Sequence, residues 1–165
     1  AEAAYDRYGR LVAQIERADG LWLQGALLEQ GLAQVQTRPG EVFRAREMLD
    51  LERAARKERR GLWAEPALRP CPADQARRRV GSFQIVQGRV ARVAPTRSFV
   101  YLNFGADWRR DFTLRLPLEL KERFARSGLG PQTLAGRRIE VRGFVLWAGG
   151  PLIELSHPEQ LQLMP

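Results

Sequence analysis

The chain has 165 residues, 44% hydrophobic and 28% charged, with a formal net charge of +8, a composition typical of one or two small globular domains rather than of a disordered or fibrous chain. Cys71 and His157 are the only cysteine and the only histidine, which excludes an internal disulfide and a zinc site built from these residue types. No apolar run approaches the roughly 18 residues of a membrane span and no signal peptide is recognisable, so we expect no membrane partner; the cellular compartment stays open.

The first half predicts a hairpin followed by two helices. Residues 9–23 contain the strand-like runs LVAQIE and LWL, separated by an Asp-Gly turn signal. Apolar spacing predicts a helix over residues 24–30 and a longer helix over residues 41–60, each followed by a glycine that ends it. Leu62 and Trp63 are then expected to fold back as a hydrophobic anchor.

A proline-containing linker is predicted over residues 65–79, and the pattern changes after it. Alternating and β-branched runs predict five strands with one helix between the third and the fourth. The strands cover residues 83–93, 99–104, 112–116, 138–147 and 152–155, and the helix covers residues 117–126. This order is the layout of an oligonucleotide/oligosaccharide-binding (OB) barrel, which we expect over residues 80–165.

The positive charge belongs to the second half of the chain. Residues 1–64 carry a net charge of +1, whereas residues 65–165 carry +7. A field of this sign favours a polyanionic partner such as nucleic acid. Because nearly all the basic residues are arginines, the composition of the coding sequence is an alternative cause of the arginine count.

Three motifs of the first half occur in series. They are DRYGR at residues 6–10, ALL followed by QGLA within residues 26–33, and LE, AR and GLW between residues 51 and 63. Together they span residues 5–64 and resemble the C-terminal part of the staphylococcal nuclease (thermonuclease) family. The resemblance implies an α+β, mainly β chain: a partial nuclease-like OB barrel over residues 1–64, consisting of a hairpin and two helices, linked to the second, five-stranded OB-like barrel.

Members of this family are calcium-dependent phosphodiesterases that cleave DNA and RNA. The resemblance implies that Arg10 contacts the scissile phosphate, where a planar guanidinium can donate two aligned hydrogen bonds as negative charge develops. It also implies that Arg7 and Tyr8 lie beside a terminal phosphate of the substrate. The alternative is that this motif is only a turn that leads into a strand.

The family's calcium ligands and general base lie upstream of the DRYGR motif, on strands that we do not expect in this chain. The resemblance therefore implies Ca²⁺ for the complete family domain and none bound by this chain alone. We expect a nuclease fragment that is inactive by itself and whose missing N-terminal strands are its natural partner.

The second half resembles the extra C-terminal domain of some proteobacterial thermonuclease-like proteins, through the runs VYLNFG, DWR and GPLIEL. This resemblance does not imply a biochemical role for the domain. At the predicted turn between the second and third strands, Trp108, Arg109 and Arg110 combine a ring with guanidinium groups, which suits base stacking and phosphate pairing. The alternatives are that Trp108 caps the barrel end and that Phe104 and Phe112 are core residues. The run Arg77-Arg78-Arg79 is either a solvated segment or an extension of a phosphate track.

The sequence thus predicts a thermonuclease-like fragment with an accessory OB-like domain that holds DNA or RNA, expected to be single-stranded. One alternative is a non-catalytic module that binds single-stranded nucleic acid or another protein. Another is a structural domain that braces a nuclease barrel.

Overall fold

The computed structural model describes residues 4–5, 8–40, 42–107 and 109–165. The chain divides into two compact units, Ala1–Arg69 and Pro70–Pro165. Within the described ranges, no helix has the length and apolar character needed to cross a membrane.

The first unit begins with a short hairpin. Strand β1 (Ala4–Tyr5) pairs antiparallel with β2 (Leu11–Val12), and a single bridge joins Glu16 to Trp22 before helix α1 (Leu23–Glu29). The predicted pairing of LVAQIE with LWL is confirmed from Ile15 to Leu23, where the Arg17 amide donates to the Leu21 carbonyl at 2.9 Å and the Leu23 amide donates to the Ile15 carbonyl at 3.0 Å. It is wrong for residues 11–14. The side chain of Gln24 explains why the strand pairing does not extend to residues before Ile15. Its Oε1 accepts from the Ile15 amide at 3.0 Å, and its Nε2 donates to the Ala13 carbonyl at 2.9 Å. The amide side chain thus replaces strand pairing.

The second helix of this unit, α2 (Ala45–Lys57), is shorter than the predicted 41–60. Arg44 and Arg59 flank it with φ angles of +55° and +57°, left-handed conformations that cannot continue a right-handed helix. Two 3₁₀ turns follow, Gly61–Ala64 and Pro66–Leu68. Trp63 is buried as expected of an anchor, whereas Leu62 remains exposed.

The second unit is rich in strands. They are β3 (Cys71–Pro72), β4 (Phe83–Arg89), β5 (Arg92–Pro95), β6 (Phe99–Asn103), β7 (Thr113–Pro117), β8 (Arg138–Phe144), β9 (Leu146–Trp147), β10 (Pro151–Glu154) and β11 (Leu161–Leu163). Helices α3 (Lys121–Arg126) and α4 (Pro131–Leu134) lie between β7 and β8. The predicted helix 117–126 begins late because Leu118–Leu120 forms a 3₁₀ turn.

The strands form two sheets that share two continuous segments. One sheet has the order β5-β6-β7-β10-β9 and the other β11-β8-β4-β3. Since β4 leads into β5 and β8 leads into β9, the sheets join into one barrel, in which β7 and β10 are parallel. The α+β, OB-like architecture expected from the sequence is confirmed, with the barrel interior filled by apolar residues such as Val86, Leu102, Leu114 and Val141.

Part of the predicted linker is structured. Cys71 is buried and pairs with Val86 in β4, and residues Ala73–Arg79 form a 3₁₀ helix whose Ala76 is fully buried. Pro70 and Pro72 mimic a linker in the sequence, but a short edge strand tolerates prolines because its outer side needs no amide donors. Residues 71–79 are therefore part of the second unit.

Candidate nucleic-acid interface

Arg10 and Tyr8 lie together in the loop that joins β1 to β2. The guanidinium carbon Cζ of Arg10 is 5.1 Å from the centroid of the Tyr8 ring, within the range of a cation–π contact. Gly9 between them has a φ of +74°, a turn conformation that suits glycine. Both side chains are exposed. The third residue of the predicted phosphate site, Arg7, lies outside the described residues.

The described residues do not fit a calcium ion. Ca²⁺ takes about six to eight oxygen ligands, largely from carboxylates and carbonyls. Within the part of the chain that the structure describes, no three His, Cys, Asp or Glu side chains cluster closely enough to hold a metal. The calcium dependence of the family therefore has no donor set among these residues.

The turn between β6 and β7 is held by two aspartates. The Asp107 amide donates to Oδ2 of Asp111 at 2.8 Å, and the Arg109 amide donates to Oδ1 of Asp107 at 3.1 Å. Arg109 and Arg110 are exposed at this turn, while Trp108 lies outside the described residues. These hydrogen bonds order the backbone at Asp107 and Arg109, beside the exposed arginine side chains.

Phe104 and Phe112 belong to the core, as the alternative interpretation held. Their ring centroids are 5.0 Å apart; Phe112 is buried in the barrel interior and Phe104 packs against it. The Phe112 ring is therefore closed to a ligand, whereas Phe104 is only half-buried.

A cleft that the sequence interpretation missed lies on the outer face of the five-stranded sheet. Its volume is about 390 Å³. It is lined by Arg92, Ala94, Tyr101, Asn103, Thr113, Ala148, Gly150, Pro151 and Leu152. These residues come from four strands and from the turn between β9 and β10, so the cleft belongs to the barrel surface and not to its core.

One row of cleft residues crosses four strands. Asn103 lies opposite Arg92 on one side and opposite Thr113 on the other, and Thr113 in turn lies opposite Leu152. The Thr113 hydroxyl donates to Oδ1 of Asn103 at 3.2 Å, which fixes the amide in place. From β5 to β10, the row presents a guanidinium, an amide, a hydroxyl and an apolar side chain in succession.

The adjacent row carries rings and charge. Tyr101 lies opposite Ala94 and Arg115, and its ring centroid is 6.1 Å from that of Phe99. Arg115 places Cζ 4.9 Å from the Phe99 ring, and its Nε donates to the Glu154 carboxylate at 2.7 Å. Proteins that bind single-stranded nucleic acids combine aromatic faces with positively charged groups in this way.

The two residues with reactive side chains, Cys71 and His157, are buried away from this cleft. Burial raises the pKa of the Cys71 thiol, which keeps it protonated, although the nearby Arg79 opposes this. The Nδ1 atom of His157 lies 2.9 Å from the Ser156 hydroxyl. Both side chains are therefore buried in the fold and do not line the cleft.

Residues 1–65 match the sequence profile of the staphylococcal nuclease homologue family. The N-terminal segment is therefore similar in sequence to this family. No curated protein matches the chain. Among solved structures, a proposed aspartyl-tRNA synthetase from Leishmania major Friedlin is similar over 60% of this chain at 8% identity and a TM-score of 0.38. The chain covers only 21% of that protein's length.

Proposed function

We propose that this chain is a thermonuclease-family fragment whose OB-like barrel binds single-stranded DNA or RNA and which does not hydrolyse phosphodiesters by itself. The supporting observation is the outer face of the barrel, where Phe99, Tyr101 and two arginines, Arg92 and Arg115, share one surface beside the cleft. The surrounding half of the chain carries a net charge of +7.

On this face the rings and the charges have separate roles. Bases stack on Tyr101 and Phe99, because every base has a π-face and stacking tolerates any sequence. Arg92 at the rim pairs with a phosphate, and Arg109 and Arg110 extend the positive track from the β6–β7 turn. A duplex keeps its base faces covered by stacking, so a single strand is the better ligand.

In the nuclease-like segment, Arg10 supplies two aligned donors to a phosphate, and Tyr8 holds its guanidinium in place. Hydrolysis also needs a group that activates water. The complete family domain, with Ca²⁺, has that group on upstream strands. The exposure of the hairpin supports a partner that supplies these upstream strands. Tyr5 and Leu11 pair in the β1–β2 hairpin, and both are more than half exposed.

Fluorescence anisotropy with the full chain and a labelled oligothymidylate tests the binding. With about three phosphate contacts, the affinity should fall about twentyfold between 50 and 200 mM salt. Tyr101→Ala should weaken binding about 5- to 150-fold, the range expected for loss of one stacked base. Phe43→Ala, which removes an exposed ring of the first unit, is the control and should change nothing.

A duplex of the same length should bind more weakly than the single strand. Absence of binding at low salt, or equal affinities for Tyr101→Ala and wild type, would contradict the proposal. Either result would favour a protein-interaction role for the barrel.

A further inference from the structure

Three large apolar side chains are exposed at the end of β8 and in β9. The exposed fractions are 56% for Phe144, 46% for Leu146 and 51% for Trp147. The Phe144 ring packs edge-on against Phe83, with 5.7 Å between centroids. Large apolar side chains exposed so close together along one segment often mark a binding surface, since soluble proteins seldom leave large apolar patches in water.

A cation from a different segment lies over one of these rings. The Cζ atom of Arg77 is 5.3 Å from the centroid of Trp147. Arg77 belongs to the 3₁₀ helix Ala73–Arg79, which is anchored to the barrel by the fully buried Ala76. The backbone of this 3₁₀ helix therefore positions the guanidinium beside Trp147, and Arg77 remains exposed.

This apolar group adjoins the cleft. Leu146 pairs directly with Leu152, and Trp147 pairs with Pro151. Both partners line the cleft on the outer face of the barrel. Because directly paired residues of antiparallel strands point to the same side, Leu146 lies on the side of Leu152 and Trp147 on the side of Pro151. The two side chains thus leave β9 on opposite faces, and each lies next to a residue that lines the cleft.

We propose that Trp147 and Arg77 form a second contact point for single-stranded nucleic acid, distinct from Tyr101 and Arg92. A base stacks on the exposed part of the Trp147 ring, and Arg77 pairs with the adjacent phosphate. This inference rests on the proposed function, because it extends the path of the same strand. It also assigns a ligand role to the arginine run before the barrel.

Charge decides between a nucleic acid and a second copy of this chain as the occupant. The 3₁₀ helix that carries Arg77 also carries Arg78 and Arg79 against a single acid, Asp74. A second copy would bring the same excess of positive charge to the surface and would be repelled. A polyanion with planar apolar groups complements both the arginines and the ring.

The test compares four variants of the full chain in anisotropy titrations with an oligothymidylate of about twelve nucleotides, long enough to cross one OB surface. Trp147→Ala should weaken binding about 5- to 150-fold, and Trp147→Phe should recover most of the loss. Arg77→Gln should reduce the slope of log affinity against log salt by about 0.7, the loss of one phosphate contact. Arg126→Gln, an exposed arginine of α3, is the matched charge control and should leave binding nearly unchanged.

Quenching of tryptophan fluorescence by the bound strand gives a second signature. The quench should be smaller in Trp147→Phe than in wild type at saturating oligonucleotide. If the wild type binds and Trp147→Ala and Arg77→Gln bind equally well while remaining folded by circular dichroism, the second contact point is wrong and the proposed function stands. If the wild type does not bind at all, both are wrong. A changed sedimentation coefficient in Trp147→Ala with unchanged DNA affinity would assign the surface to self-association.

Discussion

The backbones of Gly31 and Gly61 touch. The amide of Leu62 donates to the Gly31 carbonyl at 2.8 Å, and a Cβ atom on Gly61 would lie 2.5 Å from that same oxygen. A Cβ atom on Gly31 would lie 2.3 Å from the carbonyl oxygen of Arg60. Both glycines have positive φ angles, +69° and +49°. The QGLA and GLW motifs are therefore two halves of one contact that joins the end of α1 to the turn after α2.

Gly31→Ala should lower the free energy of unfolding by about 2–5 kcal/mol, from about 1–2 for the left-handed backbone and about 1–3 for the backbone clash. Gly20→Ala is the matched control, because Gly20 has a φ of +86° but nothing within 4 Å of its added Cβ. It should lose only the backbone part, about 1–2 kcal/mol. Urea unfolding followed by tryptophan fluorescence measures both; equal losses would show that the contact is unimportant.

Glu52 is fully buried on α2. Its Oε2 accepts from the Val35 amide at 2.6 Å, and its Oε1 lies 3.5 Å from Nε of Arg56. Glu52→Ala removes both interactions and should cost about 3–5 kcal/mol of unfolding free energy, as expected when one partner of a buried ion pair is deleted.

The control for Glu52 is Asp50→Ala on the same helix. Asp50 is exposed and bonds to Arg53 at 2.8 Å, so its loss should change stability by less than about 0.5 kcal/mol. Glu52→Gln keeps the shape and one acceptor oxygen and should lose less than Glu52→Ala. Wild-type stability in Glu52→Ala would mean that the loop at Val35 is held by other contacts.

The order of the main strands and of α3 was predictable from the sequence, because periodicity reports the buried face directly, whereas β3, α4 and β11 were not predicted. Alternation in residues 99–104 and 112–116 identified strands that the structure places in the barrel, and the three motifs identified the nuclease-like segment. Local side-chain competition was not predictable. The Gln24 amide that replaces strand pairing depends on distances that only the folded chain defines.

The cleft was missed for a different reason. Phe99, Tyr101 and Asn103 alternate with the buried Val100 and Leu102, and the inward residues were used to identify the strand. The outward set carries the aromatic and amide groups. The sequence contained the alternation of Phe99, Tyr101 and Asn103. It did not show that Arg92 and the β9–β10 turn line the same cleft, because that depends on the register of four strands.

His157 should make the free energy of unfolding fall as the pH drops below about 6.5. Burial lowers the pKa of its imidazole below 6.5, Arg123 lowers it further and Glu159 opposes this. The unfolded state therefore binds the proton more readily, so unfolding free energy is fully present above about pH 6.5 and is lost as the pH falls below it. Urea unfolding at several pH values should show this loss in wild type and a flatter profile in His157→Gln. The same slope in both proteins would assign the effect to other groups.

Purified chain should not cleave DNA in the presence of calcium. Arg10 can stabilise charge on a phosphate, but a metal-activated hydroxide also needs metal ligands and a general base. Among the described residues, no three His, Cys, Asp or Glu side chains cluster closely enough to hold a metal. Incubation with plasmid and with single-stranded DNA, with calcium or with a chelator, measures this. Calcium-dependent cleavage that co-purifies with the protein and is lost in Arg10→Ala would contradict the prediction.

In a protein that joins this chain to upstream strands carrying calcium ligands and a general base, Arg10 and Arg109 should behave oppositely. Arg10→Ala should lower kcat about 10²- to 10³-fold, because its hydrogen bonds strengthen as charge develops in the transition state. Arg10→Lys keeps the charge but loses the planar fork, so a large defect there would show that geometry matters.

Arg109→Ala is the comparison in the same kinetic series. This exposed arginine at the β6–β7 turn would hold substrate and transition state alike, so its loss should raise KM and reduce the salt dependence while leaving kcat nearly unchanged. Steady-state kinetics at two salt concentrations separates the two effects. Wild-type kcat in Arg10→Ala would mean that the DRYGR motif serves only as the turn between β1 and β2, because a residue that contacts the scissile phosphate cannot be removed without raising the barrier.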